Sequence, residues 1–541
     1  MGTRESLYHA YRVLISSKDV FCGSVDIARE SFCIWASTSS LTRPLLSKSR
    51  WFHDPEWNRA RQLSDKIRQG AAGRPKASAP RGTRQYSTSS RRNEEDGEVR
   101  QMESSSVPSS RISRLFHYGS LAAGVGISAA SQGLSQMSRG QSPTLKSLLL
   151  SDSNIARITK KFSQMRGAAL KIGQMMSFQD SKVLPAELYQ ILSRVQNSAH
   201  YMPQRQLDRL MARELGAEWR NKFASFENVP VAAASIGQVH KAVLPNGDEC
   251  VVKVQYPGVK DSIDSDLNNI LMLLTASSLL PKGLFLEKTV ANAKTELGWE
   301  CDYLREAAAL KRFEKLLADD PVFVVPHVYD SLTTPNIITM SRMGGTEIMK
   351  LPEHVTTQEV RNFICENIMR LCLKEIAEFK YMQTDPNWAN FLYNSKTGKI
   401  ELLDFGASRG FPDGFIHNYR KLLTYATQGD REGVHKMSER LGYLTGLESR
   451  AMINAHVDSV MTLGEPFSGE AEKAFDFSDQ DVTDRIRGNI SLMLNERMCP
   501  PPEETYSLHR KFSGVFLLCA RMGAKVHCAR LFDEIFALNE K

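Results

Sequence analysis

The stretch QTDPNWANFLYNSKTGKIELLDFG, residues 383–406, decides how the rest of the chain is interpreted. Asp385 stands in a predicted loop, Asn390 follows five residues later, and Asp404 opens an Asp-Phe-Gly triplet fourteen residues after that. The residues between Asn390 and Asp404 form a predicted hairpin with its turn at 394–398. A carboxylate that positions an acceptor, followed by an amide and a carboxylate that hold a metal ion, is a set that phosphoryl transfer requires.

A lysine and a glutamate upstream complete this set. Residues 225–255 are predicted as strand, loop, strand, tight turn and strand, and Lys253 lies in VVKV on the third strand. Lys253 suits the α/β-phosphates of a nucleotide, and Glu306 on the following helical stretch could hold it in an ion pair. Each motif alone is weak, because Asp-Phe-Gly occurs by chance and a strand lysine is usually solvated. Their order and spacing together are those of protein kinases.

The segment AAASIGQVHKA, residues 232–242, occupies the position of a phosphate-covering loop between the first two strands. Such loops usually carry glycine, whereas alanine adds a methyl group and restricts the backbone. We therefore expect the nucleotide to be held in a more constrained pose. The predicted nucleotide contacts are Ala232, Ala233, Ala234, Ser235, Ile236, Gly237, Gln238, Lys253 and, at the end of the last strand before the hinge, Met340.

The pattern along the chain predicts two lobes. After the strands comes one long helical stretch that includes Glu300 and Glu306, which would point about 120° apart on a single helix. An apolar strand pair within 323–340 then leads to the short connector SRMGG. Beyond it the pattern is helical apart from the hairpin, and Thr356 with Glu359 matches a capping box. The predicted fold class is α+β, bilobal and protein-kinase-like, with a strand-rich N-lobe and a helical C-lobe.

The N-terminal segment differs from the rest of the chain in charge. Residues 1–86 carry 15 Lys and Arg against 7 Asp and Glu, whereas the remaining chain carries 54 of each. An Arg- and Ser-rich start predicts a mitochondrial transit peptide over 1–86, and a disordered cytosolic tail is the alternative. The balanced body has no basic excess for binding nucleic acid. Nine cysteines without a CxxC pair disfavour a disulfide framework or a structural zinc site and favour a reducing compartment.

Residues 87–145 are predicted to be a linker that contains a candidate membrane helix. The uncharged run at 115–134 is long enough to span a bilayer, although it is rich in Gly, Ala and Ser. Small residues recur there at the spacing of closely packed membrane helices, at Ser120, Gly124 and Ser128. A flexible linker, or a helix docked on the protein itself, is the alternative. The other predicted segments are a helical extension at 146–224, the N-lobe at 225–345 and the C-lobe at 346–541.

Seven motifs together resemble the UbiB family of atypical kinases, and specifically its mitochondrial members required for coenzyme Q biosynthesis. The resemblance extends from near residue 110 to the C terminus, and QTDPNW with the tail motif indicates the animal-type branch. The motifs are KIGQ (171–174), AAASIGQVH (232–240), VVKVQYPGV (251–259), ECDYLREA (300–307), QTDPNWANF (383–391), LLDFGA (402–407) and PPPEETYSLHRKFSG (500–514).

The resemblance implies a regulatory role for two of these motifs. Lys171, Gly173 and Gln174 form the family's KxGQ motif, on a helix that folds over the active site and occupies the space of a peptide substrate. Glu300 and Asp302 match the family's ExD motif. We expect Glu300 to face Lys171 while Glu306 faces Lys253.

The same resemblance implies ATP or ADP with Mg²⁺ as cofactors. Lys253 would contact the α/β-phosphates and be held by Glu306. Asn390 and Asp404 would bind the metal ion, and Asp385 would position or deprotonate the acceptor. The resemblance also implies partners and a location, namely coenzyme Q biosynthetic proteins, anionic lipid and quinone-precursor lipids at the matrix face of the mitochondrial inner membrane, with a homodimer as a candidate assembly.

Two departures from ordinary protein kinases concern the acceptor. The HRD triplet is Gln383-Thr384-Asp385, so the Arg that receives an activation-loop phosphate is missing. Only ASRGFPDGF, residues 407–415, follows Asp-Phe-Gly before the helical pattern resumes. Both features favour an atypical kinase or ATPase whose acceptor is water or a small, lipid-like molecule. The alternatives are a protein kinase acting on biosynthetic proteins and a non-catalytic, nucleotide-responsive scaffold, although a scaffold would not need the metal ligands.

Overall fold

The computed structural model describes residues 200–276, 286–478 and 481–536, together with scattered positions between 103 and 159. All of them lie in the second of the two compact units of the chain, Glu98–Lys541. The predicted transit peptide and the KIGQ motif, with Lys171, Gly173 and Gln174, lie outside the described residues. A short parallel pair joins Glu103–Ser104 (β1) to His200–Tyr201 (β2).

The strand-rich lobe is built on an antiparallel sheet formed by β3 (Ser225–Phe226), β4 (Ala232–Ala233), β5 (Gly237–Val243), β6 (Glu249–Gln255) and β8 (Ile337–Ser341). The strands β5 and β6 form the predicted hairpin, in whose turn Gly247 takes a φ of 91°, a conformation that favours glycine. Lys253 pairs with Val239 on one side and Ile338 on the other. It therefore lies on an inner strand of the sheet.

Four helices accompany this sheet, namely α1 (Gln204–Leu215), α2 (Val259–Ala276), α3 (Leu286–Glu300) and α4 (Tyr303–Leu316). The single helical stretch predicted around Glu300 is thus two helices. Asp302 has extended backbone angles (φ −115°, ψ 91°), and its side chain caps α4 by accepting a hydrogen bond from the Arg305 N–H at 3.2 Å. The prediction that Glu300 and Glu306 point 120° apart on one helix is therefore wrong.

The predicted strand pair within 323–340 is divided between the lobes. Phe323–Val324 (β7) pairs in parallel with Lys399–Leu402 (β12) of the second lobe rather than with β8. Only the residues after Pro326 approach β8, where the Tyr329 N–H donates to the Thr339 carbonyl at 2.9 Å. Proline lacks the N–H that a continuous ladder would need, so the chain changes partners there.

The second lobe contains the predicted hairpin, Phe391–Asn394 (β11) with β12, in a four-stranded sheet of order β7-β12-β11-β9, where β9 is Thr346–Glu347. Tyr381–Gln383 (β10) pairs with Ser408–Gly410 (β13), and Phe475–Asp476 (β14) pairs with Lys525–Val526 (β15). The helices of this lobe are α5 (Gln358–Ala377), α6 (Asp413–Thr427), α7 (Arg431–Leu441), α8 (Arg450–Gly464), α9 (Val482–Glu496), α10 (Glu503–Met522) and α11 (Cys528–Leu531).

The start of α5 differs from the predicted capping box by one residue. Thr357, not Thr356, caps the helix by accepting from the Val360 N–H at 3.4 Å. The Thr356 hydroxyl instead donates to the Pro352 carbonyl at 2.8 Å, in the turn before the helix. Only Thr356 has a glutamate three residues later, yet Thr357 is the residue whose side chain caps the helix.

The run at 115–134 is described at seven positions, all of them helical. Two of them contact Arg157 and Ser153, because Arg157 donates to the Gly124 carbonyl at 2.9 Å and Gln132 donates to the Ser153 hydroxyl at 2.9 Å. Such contacts agree with a helix docked on the protein, one of the two alternatives to a membrane helix. Across the part of the chain that the structure describes, no helix combines the length and hydropathy needed to cross a membrane.

A buried histidine in α8 predicts a pH dependence of stability. Burial lowers the pKa of His456 from 6.5 to about 3, and its Nε2 lies 3.0 Å from the Ser438 hydroxyl. Between pH 6.5 and about pH 3, His456 binds a proton in the unfolded chain but not in the folded protein. The free energy of unfolding therefore falls by about 1.4 kcal/mol for each pH unit below about 6.5. We expect His456→Gln to reduce the difference in melting temperature between about pH 7 and pH 5. An unchanged difference would contradict this assignment.

Candidate active site

Three charged side chains meet between the two lobes. Lys253 on β6 donates to both carboxylate oxygens of Glu306 at 2.9 and 3.0 Å, and to Asp404 Oδ2 at 3.3 Å. The Glu306 side chain is 1% exposed and that of Lys253 11%, whereas that of Asp404 is 38% exposed. The structure therefore joins three predicted residues that lie far apart in sequence, and Asp404 is the most exposed of them.

Local structure explains why these side chains meet. Lys253 is on an inner strand, and Glu306 lies in the first turn of α4, which Asp302 caps. Asp404 lies two residues beyond the end of β12, and its Oδ1 accepts from the Gly406 N–H at 3.0 Å. The ExD motif therefore sets the start of the helix that delivers Glu306.

Burial shifts the pKa values in this cluster. It raises the pKa of Glu306 to about 7, and Lys253 opposes this rise by stabilising the charged carboxylate. Burial acts to lower the pKa of Lys253, but the charges of Asp404 and Glu306 outweigh it and raise that pKa well above its usual value. Lys253 is therefore a cation near neutral pH, held by two carboxyl groups of which that of Asp404 is the more exposed.

Tyr303, a residue outside the predicted set, lies beneath this cluster. Its fully buried ring has the Lys253 ammonium 5.2 Å from its centroid, a cation–π contact. A Cβ added at Gly237 would lie 2.7 Å from the Tyr303 hydroxyl and 2.6 Å from the Val254 carbonyl, so only glycine fits there. The signal was its position between Asp302 and Glu306, but a buried tyrosine is indistinguishable from ordinary core in one sequence.

The predicted phosphate loop forms a tight turn between β4 and β5. Ala232 and Ala233 pair with Val239 and Gln238, and the Ala234 N–H donates to the Gly237 carbonyl at 2.7 Å. The turn thus places 234–237 at the edge of the sheet that carries Lys253, and Ser235 lies within it.

Besides Lys253, three of the predicted nucleotide contacts have buried side chains. Gln238 accepts from the Met202 N–H at 2.8 Å and lies 2.9 Å from His240 Nε2, so its side chain is committed to the protein interior. Ile236 is 3% exposed and Met340 5% exposed. Met340 lies on β8 and pairs with Val251 of β6. The strand β6 therefore separates Met340 from β5, at whose start the loop lies.

The catalytic loop carries Asp385 and Asn390. Asp385 Oδ1 accepts from the Asn387 N–H at 3.2 Å, and the following residues form a 3-10 turn over Trp388–Asn390. The Leu403 N–H donates to the Asn390 carbonyl at 3.0 Å, so the base of the hairpin brings Asn390 beside Asp404. The two predicted metal ligands are therefore neighbours in the fold although fourteen residues separate them in sequence.

These residues fit a magnesium ion that is shared with phosphate. The Asn390 amide nitrogen is buried and has no hydrogen-bond partner among the described residues. In the same part of the chain, no group of three His, Cys, Asp or Glu side chains could hold a metal ion by itself. A carboxylate and an amide oxygen, completed by phosphate oxygens and water, are the hard ligands that Mg²⁺ prefers.

Arg305, also outside the predicted set, joins α4 to the segment after Asp404. Its guanidinium donates to the Gly406 carbonyl at 3.1 Å and to the Ser408 carbonyl, and it stacks 4.4 Å above the Trp299 ring. Phe405 packs on Phe313 of the same helix, with ring centroids 4.6 Å apart. The helix that carries Glu306 is thus tied to the Asp-Phe-Gly triplet at two further points.

Glu300 of the ExD motif lies beside the same triplet. A Cβ added at Gly406 would lie 3.7 Å from Glu300 Cγ, and the charge of Glu300 contributes to the raised pKa of Glu306. Its expected partner Lys171 is not among the described residues, so that pairing stays a prediction.

The chain is similar to known proteins along most of its length. Residues 194–438 match the ABC1 atypical kinase-like domain. The chain is 74% identical over 436 residues to atypical kinase COQ8, mitochondrial, of Saccharomyces cerevisiae, covering 81% of this chain and 87% of that protein. The chain belongs to the COQ8 family of atypical kinases. The resemblance to UbiB kinases and the predicted kinase-like fold are thereby confirmed, and the protein is a phosphotransferase of the kinase or ATPase type.

Other relatives place the chain within this family. Atypical kinase COQ8B, mitochondrial, of Danio rerio is 48% identical over 434 residues, covering 80% of this chain and 69% of that protein. Among solved structures, a complex of Rv3197 with erythromycin from Mycobacterium tuberculosis matches with 24% sequence identity and a TM-score of 0.47. The match covers 68% of this chain and 92% of the Rv3197 chain. Identity to the yeast COQ8 exceeds identity to the fish protein, so the predicted animal-type branch is not supported.

Proposed function

We propose that the protein binds Mg-ATP and hydrolyses it, or transfers its γ-phosphoryl group to a small lipid-like acceptor, in support of coenzyme Q biosynthesis. The observation that carries the proposal is the contact of Lys253 with Glu306 and Asp404, beside Asn390. A structural ion pair would need no third, partly exposed carboxylate and no adjacent unsatisfied amide. The mitochondrial COQ8 names of the relatives support this pathway and location.

Each residue has a defined part in this chemistry. Lys253 leaves Asp404 for the α/β-phosphates and stays oriented by Glu306. Asp404 and Asn390 would hold Mg²⁺, which when bound neutralises charge on the phosphate oxygens. Asp385 orients the acceptor hydroxyl or water and accepts its proton. The turn at 234–237 covers the phosphates from the sheet side.

The segment after Asp-Phe-Gly supports a small acceptor. The strand β13 begins at Ser408 and pairs immediately with β10, and α6 begins at Asp413. In place of the HRD arginine, the Thr384 hydroxyl donates to the Ala407 carbonyl at 2.6 Å. This short, internally bonded segment offers little backbone for a peptide. We therefore favour water or a quinone-precursor lipid as acceptor, at the matrix face of the inner membrane, together with anionic lipid, coenzyme Q biosynthetic proteins and a second copy as partners.

The deciding experiment follows the label of γ-labelled ATP. The purified protein is incubated with vesicles that contain anionic phospholipid, with a phenolic quinone-precursor analogue, or with a generic protein substrate. We expect free phosphate or labelled lipid, increased by vesicles and analogue, and none from Asp385→Asn. Label on protein without free phosphate would instead indicate a protein kinase. Nucleotide binding without turnover would indicate a scaffold.

The alanine loop gives a separate prediction. Ala234→Gly removes the methyl group at the turn and frees its backbone, which is worth about 0.5–1 kcal/mol. We therefore expect the ratio of ATP to ADP affinity to change by about 2–5-fold, measured by calorimetry with Mg²⁺. Ala224→Gly, an exposed position before β3 and outside the predicted nucleotide contacts, is the matched control. Equal affinities in Ala234→Gly and the parent chain would refute a restraining role for the alanine.

A further inference from the structure

The helix α10 (Glu503–Met522) packs against the catalytic loop. The Trp388 indole N–H donates to the Gly514 carbonyl at 3.1 Å. A Cβ added at Gly514 would lie 2.2 Å from Pro386 Cβ, so the loop sits directly on the helix backbone. Pro386 and Trp388 flank Asp385 on its C-terminal side, which means that one helix face determines where this part of the loop lies.

A buried lysine of α10 supports the residues before Asp385. Lys511, whose side chain is 2% exposed, donates to Gln383 Oε1 at 2.8 Å and lies 3.6 Å from the Glu375 carboxylate. Glu375 in turn accepts from the Gln383 N–H at 3.0 Å. Gln383 is therefore held through both its side chain and its backbone.

The neighbouring arginine reaches both the loop and the other lobe. Arg510 donates to the Thr384 carbonyl at 3.4 Å, and its Nη2 lies 3.5 Å from the Thr384 hydroxyl. The same Nη2 donates to Glu296 of α3 at 3.1 Å, and the side chains of Arg510 and Glu296 are 16% and 9% exposed. Arg510 thus connects the residue before Asp385 with the helix that ends at Glu300.

We propose that Arg510 is a positioning residue, which holds the catalytic loop in register with the N-lobe and, with Lys511 and Gly514, makes the middle of α10 a support for that loop. The inference rests on the proposed role of Asp385. It accounts for two features of the sequence together, the missing HRD arginine and the tail motif at 500–514. Thr384 occupies the position of the HRD arginine. Arg510 approaches Thr384 from a helix that is remote in sequence.

The physical argument is preorganisation. Asp385 must be held in place when it accepts a proton, because a displacement of about 1 Å can cost about 100-fold in rate. The Thr384 hydroxyl also donates to the Ala407 carbonyl, so Arg510 acts on both the catalytic loop and the segment after Asp404. Lysine carries the charge but presents a single ammonium group, so it cannot replace a planar guanidinium that serves two partners.

The test measures kcat and KM for ATP together with the melting temperature. We expect Arg510→Gln to lower kcat about 10–100-fold, as loss of a supporting residue does, while KM for ATP changes less than about threefold. Arg510→Lys should recover only part of this loss. Glu296→Gln should lower kcat by a smaller factor, and Arg510→Gln with Glu296→Gln should be no worse than Arg510→Gln alone, because the two share one contact.

Two variants on the same helix serve as controls. Arg521→Gln changes an exposed arginine in the last turn of α10, and should leave kcat unchanged. Met522→Ala removes a buried side chain that packs on Cys365, and should lower the melting temperature without the fall in kcat. If Arg510→Gln keeps kcat within about twofold while Asp385→Asn abolishes turnover, the inference fails and the proposed function stands. If Met522→Ala lowers kcat as much as Arg510→Gln, general destabilisation explains the effect and the inference also fails.

Discussion

Replacing Asp404 by Asn should abolish Mg-dependent nucleotide binding and ATP turnover together. Asp404 is the partly exposed carboxylate of the cluster, and it contacts Lys253 at 3.3 Å while Asn390 lies beside it. An amide cannot replace the charge that holds Mg²⁺, and metal stabilisation of the transition state is worth several kcal/mol. We therefore expect turnover to fall at least about 100-fold, measured as phosphate release at saturating Mg²⁺.

The binding measurement separates metal loss from misfolding. Asp404→Asn should keep the melting temperature of the parent chain, because Lys253 retains Glu306 as its partner. It should lose the increase in melting temperature that Mg-ATP produces in the parent chain. Glu503→Gln, a surface carboxylate at the start of α10 near Arg409, is the matched control. Turnover that persists in Asp404→Asn would show that the metal assignment is wrong.

Replacing Lys253 by Met should abolish turnover and also destabilise the protein. The substitution removes the phosphate cation and leaves the buried Glu306 carboxylate without its closest cation, a loss that costs about 3–5 kcal/mol in buried pairs. Glu306 already has a pKa of about 7, and without Lys253 burial would raise it further. Glu306 then keeps its proton to a higher pH in the folded state, whereas in the unfolded chain it releases this proton above about pH 4.5. The free energy of unfolding therefore falls as pH rises between these two values.

A double variant tests this account. We expect the melting temperature of Lys253→Met to fall further below that of the parent chain near pH 8 than near pH 6, which a thermal scan measures. Lys253→Met with Glu306→Gln should recover most of the melting temperature, since no charge is then buried alone, yet recover no turnover. Equal destabilisation of the single and double variants would mean that the Lys253–Glu306 pair is not the source of the effect.

Much of the site could be predicted because its chemistry requires particular residue types in a fixed order. The order and spacing of the motifs and their strand or helix contexts predict Lys253, Glu306 and Asp404, and these three side chains are in contact. The hairpin at 391–402 was predicted from its turn residues, and it brings Asn390 to Asp404. The contacts and the hairpin are predictable because local turn and strand signals are strong, and because the strand and helix contexts limit the alternatives.

The errors fall where neighbouring segments compete. The stretch around Cys301 has helical composition on both sides, and only the cap formed by Asp302 divides it into α3 and α4. The strand Phe323–Val324 was assigned to the wrong lobe, since its apolar residues could pair with either sheet. Gln238 was predicted to face the nucleotide, but its side chain lies in the interior with His240.

The sequence by itself determined the order of the lobes, the family and the charged residues of the site, because these follow from residue types and spacings along one chain. Only the tertiary structure decided that Arg305 ties α4 to Gly406, that Tyr303 underlies Lys253, and that Arg510 reaches Thr384. Such contacts join residues up to 126 positions apart and leave no local pattern. Their free energy arises from burial and from geometry that exists only once the lobes have packed.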